Sequence, residues 1–171
     1  MTLTVATKEQ LPIIQDLAYK IWPHTYGATH TQEELDYMLT KFYAVPSLEQ
    51  QQAAGHNFIL AEEAGEFQGF VAYELHAEGT SKTKIHKLYV LPQTQGKGLG
   101  RQLVDYVKAQ ALLANDQAIY LNVNKHNNAQ VFYSKYGFNI TQDILIDIGE
   151  GFVMDDYVME FFLGSRHRHR H

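Results

Sequence analysis

The chain has 171 residues, is 45% hydrophobic and 12% aromatic, and contains no cysteine. This composition excludes a disordered chain, a disulfide framework, thiolate metal sites and a cysteine nucleophile. Three of its 14 basic residues are arginines in the stretch Gly164 to His171, which reads as a cloning scar and affinity tag. The remaining body carries 11 basic against 19 acidic residues, or −8 where the whole chain is −5. That balance argues against a nucleic-acid partner and favours a cationic small molecule. No apolar run reaches the roughly 20 residues a bilayer requires, and the N-terminus lacks the regions of a signal peptide, so a cytoplasmic protein without membrane partners is expected.

In chain order, Leu3 to Ala6 reads as a strand. Thr7 and Gln10 have the spacing of a capping box, and Leu11, Ile14, Leu17, Ala18 and Ile21 place one apolar face on the helix that follows. Trp22-Pro23 is expected to end it. Thr31 and Glu34 form a second capping box, before a helix with Leu35, Met38, Leu39 and Phe42 on one side. A weaker helix covers Ser47 to Ala54 and stops at Gly55. Asn57 to Glu63, the turn Ala64-Gly65 and Gln68 to His76 read as a β-hairpin. Glu78 to Lys82 is a polar loop, and Ile85 to Leu91 a strand.

The stretch from Lys87 to Arg101 carries the most information. A β-branched and aromatic run ends at Pro92, glycines follow at positions 96, 98 and 100, and Leu99, Leu103, Val104, Val107 and Ala111 mark an amphipathic helix. Strand, glycine loop and helix in that order make an anion site. Glycines let backbone N–H groups turn inward, and the helix N-terminus adds partial positive charge. The spacing is neither the dinucleotide Gly-x-Gly-x-x-Gly nor a nucleotide P-loop. Outside the tail, Arg101 is the only arginine, and Lys97 lies near it, which points to a pyrophosphate-bearing ligand. Ala118 to Val123 is a further strand, Asn127 or Asn128 caps a short helix to Tyr136, and Phe138 to Ile148 and Phe152 to Leu163 are two final strands joined by Gly149-Glu150-Gly151. The order predicts an α/β (α+β) fold: a mixed, mostly antiparallel sheet with helices on both faces.

Two segments carry a family resemblance: Gln93-Thr94-Gln95-Gly96-Lys97-Gly98, and Asn127-Asn128-Ala129 with Tyr133-Ser134-Lys135-Tyr136-Gly137-Phe138. Together they resemble the GNAT superfamily of acetyl-CoA-dependent N-acetyltransferases, over residues 1 to about 163. The resemblance implies one N-acetyltransferase domain over 1–163, with acetyl-CoA as co-substrate. It implies that the backbone of Leu88, Tyr89 and Val90 pairs with the pantetheine arm. The N–H groups of Gln95, Gly96, Lys97, Gly98, Leu99, Gly100 and Arg101 would hold the pyrophosphate. Asn127 would lie near the pantetheine, Lys135 would reach phosphate, and Tyr133 would face the coenzyme sulfur. At the acceptor end the chain resembles the polyamine-acetylating subgroup, through Trp22, Tyr26, Glu150, Asp155 and Asp156. By alternation Asp155 shares a strand face with Val153, Tyr157, Met159 and Phe161.

The strand before the loop reads Lys84-Ile85-His86-Lys87, without the glutamate base that some family members carry there. His86, Glu74 on the neighbouring strand, or a water chain are the candidates. No metal is expected. The expected reaction is direct attack of a primary amine in a ternary complex, since no cysteine can carry an acyl intermediate. A protein N-terminus or lysine as acceptor, and a non-catalytic acyl-CoA sensor, remain open, and the sequence is compatible with a homodimer.

Overall fold

The computed structural model describes residues 1–164; the rest of the Gly164–His171 tail lies outside the described residues. Seven strands form one sheet in the order β1 (Thr2–Val5), β2 (Asn57–Glu63), β3 (Glu66–Glu74), β4 (Lys82–Val90), β5 (Ala118–Asn124), β7 (Phe152–Phe162) and β6 (Asn139–Gly149), and the chain divides into two compact units.

The first unit holds residues 1–73 and 87–105. Strands β1 (Thr2–Val5), β2 (Asn57–Glu63) and β3 (Glu66–Glu74) pair antiparallel in sequence. β2 is buried on both faces: Phe58, Ile59, Leu60 and Ala61 are all inaccessible to solvent. Helix α1 (Leu11–Tyr26) buries the predicted face of Leu11, Ile14, Leu17, Ala18 and Ile21. It does not stop at Trp22-Pro23. Pro23 lacks an N–H, but its carbonyl still accepts from Gly27, so the helix runs one further turn and carries Trp22 and Tyr26 with it. Thr31 and Glu34 do form the reciprocal cap of α2 (Gln32–Tyr43), with Glu34 N–H donating to Thr31 Oγ1 at 3.1 Å and Thr31 N–H to Glu34 Oε1 at 2.8 Å. Helix α3 spans Val45–Ala53. Strand β4 (Lys82–Val90) begins three residues earlier than its apolar pattern suggests, because the ladder takes in Lys82 and Thr83. β3 and β4 approach closely at Gly69, where a Cβ would sit 2.7 Å from the Tyr89 carbonyl oxygen.

The second unit holds residues 74–86 and 106–164 of the described chain. The start of β4 runs parallel to β5 (Ala118–Asn124), from Lys82↔Ala118 to Ile85↔Leu121, where that ladder ends. β5 pairs antiparallel with β7 (Phe152–Phe162), and β7 with β6 (Asn139–Gly149). Helix α4 (Leu99–Leu113) contributes to both units and buries all five predicted positions, Leu99, Leu103, Val104, Val107 and Ala111. Helix α5 (Ala129–Tyr136) ends at Gly137, whose φ of +125° and close approach to the Phe161 ring both require glycine.

Candidate functional site

In the first unit the glycine loop has the predicted form. A single 3₁₀ turn, Pro92–Thr94, follows β4 and is tied back by the Thr94 hydroxyl donating to the Leu91 carbonyl at 2.7 Å. Gly96 and Gly98 both take φ of +83°, and no chain atom lies within 4 Å of where a Cβ would point at either. Gly100 lies inside α4 and has no such requirement. The N–H groups of Gln95 and Lys97 close turns on Pro92 and Thr94 at 3.2 and 3.3 Å. The donors suited to an anion are therefore those of Gly96, Gly98, Leu99 and Gly100, the last two in the first turn of α4, where intrahelical acceptors are lacking.

The same unit gathers an aromatic cluster of which the family resemblance marked Trp22, Tyr26 and, as part of the strand before the loop, Tyr89. Trp22 lies 4.7 Å from Tyr26, 5.5 Å from Tyr43 and 5.7 Å from Tyr89, ring centre to ring centre. The Tyr26 and Tyr89 hydroxyls share a 2.8 Å hydrogen bond. The Trp22 indole N–H is directed at the Tyr43 phenol, yet the two do not reach hydrogen-bonding geometry. Burial, with Tyr26 as a lesser cause, raises the Tyr43 hydroxyl well above the usual tyrosine range. Lys87 lies 5.3 Å over the Tyr43 ring and donates to Gln51 Oε1 at 2.8 Å. Tyr43 carried no distinguishing sequence signal, and Tyr89 was marked for its place on the strand before the loop and not for its ring; folding brings both rings to Trp22.

In the second unit both candidate bases of the sequence meet. His86 Nε2 and Glu74 Oε1 are 2.9 Å apart and partly buried. Tyr133 is buried on α5, between Phe132 and Phe138. Asn127 Oδ1 accepts the Ala129 N–H at 2.8 Å, and so caps α5. Lys135 is exposed in the last turn of α5. The acidic residues of the last hairpin separate by environment. Glu150 sits exposed in its turn at φ +56°. Asp155 pairs with Lys125 at 3.0 Å, so it is not the lone carboxylate that the alternation suggested. Asp156 is: it is 1% exposed, and neither carboxylate oxygen meets a hydrogen-bond donor among the described residues. Burial first, and Asp155 second, push its carboxyl up to about 6, against the opposing pull of Lys84 and Lys125.

The sequence reading missed a further buried carboxylate. Asp116, just past α4, accepts from the Thr83 hydroxyl at 2.6 Å and the His76 N–H at 3.0 Å. Its other oxygen faces His76 Nδ1. Because the aspartate stands between threonine and histidine, it anchors two segments and cannot serve a nucleophilic triad, which needs the base at the hydroxyl.

Comparison with known proteins agrees with this geometry. Residues 26–160 match the acetyltransferase (GNAT) domain family. The chain is 30% identical over 96 residues to a 5-NmdU N-acetyltransferase of Pseudomonas phage PaMx11, and 28% identical over 96 residues to the L-methionine sulfoximine/L-methionine sulfone acetyltransferase of Salmonella typhimurium. These matches span 56% and 54% of this chain, and 64% and 56% of the relatives' own lengths. The fold is similar to that of the PaiA N-acetyltransferase of Thermoplasma acidophilum, solved with coenzyme A, at a TM-score of 0.77 and 20% identity over 95% of this chain and 99% of that one.

Proposed function

The chain belongs to the GNAT acetyltransferase family, and from that premise we propose that it transfers an acetyl group from acetyl-CoA to a primary amine of a small cationic acceptor. The observation that carries the reading is the loop between β4 and α4. Two glycines held at φ +83° and a helix first turn present N–H donors to a pyrophosphate. Lys97 and Arg101 add the cations. The backbone of Leu88 to Val90 would add the pantetheine arm like a strand.

Acetyl-CoA supplies an activated thioester. An amine of pKa near 10.4 is mostly protonated at neutral pH, so the protein must first remove a proton. The neutral nitrogen attacks directly, in a ternary complex. Backbone N–H near Leu88 stabilises the developing oxyanion, and the Tyr133 hydroxyl protonates or hydrogen-bonds the departing thiolate. The last hairpin favours a cationic acceptor of polyamine type, since it carries Asp143, Asp147, Glu150, Asp155 and Asp156. An amino-acid acceptor is the second reading, favoured by the relative named for methionine sulfoximine.

Thiol release with acetyl-CoA and a panel of spermidine, a simple alkylamine, amino acids and N-terminal peptides tests the proposal. Spermidine should give the highest kcat/KM. A preference for amino acids moves the second reading ahead, a preference for peptides makes the acceptor a protein, and acetyl-CoA binding without turnover on any amine makes the protein a sensor.

A further inference from the structure

We propose that Asp156 is the proton acceptor for the incoming amine: the buried carboxylate of β7 receives the acceptor's ammonium group and takes its proton. This deepens the acetyltransferase reading and rests on it. A carboxylate taken out of water without a donor is costly, and chains rarely retain one that nothing compensates. Asp156 is in that state, 1% exposed with both oxygens unpartnered among the described residues. Its register neighbours are Asn124 on β5 and Ile144 on β6.

Lys84 and Lys125 both favour its charged form from a distance, but neither bonds it, and each has a nearer partner. Lys125, which follows β5, binds Asp155 at 3.0 Å and approaches Asp143 at 3.8 Å. Lys84 of β4 lies over the Tyr120 ring. Asp155, next along β7, repels a second negative charge. A cation arriving from solution is thus the partner this carboxylate lacks. The other candidates differ. His86 and Glu74 bind each other, Asp155 is held by Lys125, and Glu150 is exposed in a turn. A carboxyl titrating near 6 is also a stronger base than an ordinary one and is still ionised at neutral pH.

In the step itself, an ammonium N–H bond breaks and its electron pair stays on nitrogen. The proton forms an O–H bond on Asp156. The nitrogen pair makes the C–N bond to the thioester carbonyl as the C=O π pair moves onto oxygen. The nitrogen then gives up a second proton, the carbonyl re-forms, and the C–S bond breaks with its pair on sulfur, which takes up that proton through the Tyr133 hydroxyl. Asp156 afterwards returns its proton to solvent.

The test is Asp156→Asn, which keeps shape and removes basicity. At pH 7.5 kcat/KM for the best amine should fall about 10²–10³-fold, with coenzyme affinity within about twofold of wild type. The acid limb of the wild-type pH–kcat/KM profile, with an apparent pKa near 6, should vanish. Amine affinity, measured by calorimetry with CoA present, should fall at least about tenfold, because the ammonium loses its charged partner. That readout also holds on a panel that yields no turnover, so failure of the acetyltransferase reading and failure of the Asp156 assignment are separable. Unchanged amine affinity or a retained acid limb overturns the assignment. A variant that melts below wild type at pH 7.5 also overturns it, by making Asp156 a structural carboxylate.

Discussion

Asp156 ties stability to pH. Its carboxyl moves from 3.8 to about 6 on folding, chiefly through burial. The native state therefore holds the proton more tightly than the unfolded chain does. The stability this contributes is present below about pH 3.8 and is lost as pH rises through about 6. Asp156→Asn removes the penalty of the buried charge. Thermal melts should show the variant gaining on wild type as pH rises from 4 to 7, by on the order of 1–3 kcal/mol; parallel pH profiles for the two proteins would refute this. Tyr133 is a different case. Its ring is fixed by Phe132 and Phe138, so Tyr133→Phe should keep the packing of α5. Turnover should drop about 10²-fold or more, with acetyl-CoA affinity little changed. A wild-type kcat would reduce Tyr133 to a packing residue.

At the scale of elements, the loop before α4 was legible because its chemistry is local. Glycines at 96 and 98 and the apolar period from Leu99 lie within one short stretch, and both glycines adopt the left-handed backbone their residue type permits. Gly98→Glu combines a strained φ with a carboxylate among the intended phosphate donors, and should abolish acetyl-CoA binding by calorimetry. Gly98→Ala carries the strain alone, so it should fold less stably by about 1–2 kcal/mol yet still bind; equal loss in both variants would implicate backbone geometry instead of charge. The cap of α2 was equally local. Thr31→Ala removes the acceptor for the Glu34 N–H and should cost about 1 kcal/mol, read as a lowering of Tm by a few degrees. The end of α1 was misread because the rule that proline breaks helices concerns one lost bond and one clash. The packing of Trp22 and Tyr26 against Tyr43 and Tyr89 outweighs both.

At the scale of the whole molecule, the charge of −8 outside the tail makes a prediction of its own. Salt shortens the reach of surface charges from about 10 Å at 0.1 M to about 3 Å at 1 M. KM for spermidine should therefore rise with salt more steeply than KM for a neutral-tailed monoamine; equal salt dependence would count against a cationic acceptor. The amino-acid order alone was enough for the α/β class, the existence of the main helices, the backbone form of the glycine loop and the family resemblance, since each rests on spacing within a few residues. It could not say which of two adjacent aspartates is buried. Asp155 and Asp156 are chemically identical and differ only in strand face. That face is set by the pairing of β7 with β5 and β6, partners distant in sequence. The meeting of His86 with Glu74, of Tyr43 and Tyr89 with Trp22, and of Asp116 with Thr83 and His76 has the same origin. Such contacts form between segments that only the folded sheet and its packed helices bring together, and local periodicity holds no record of them.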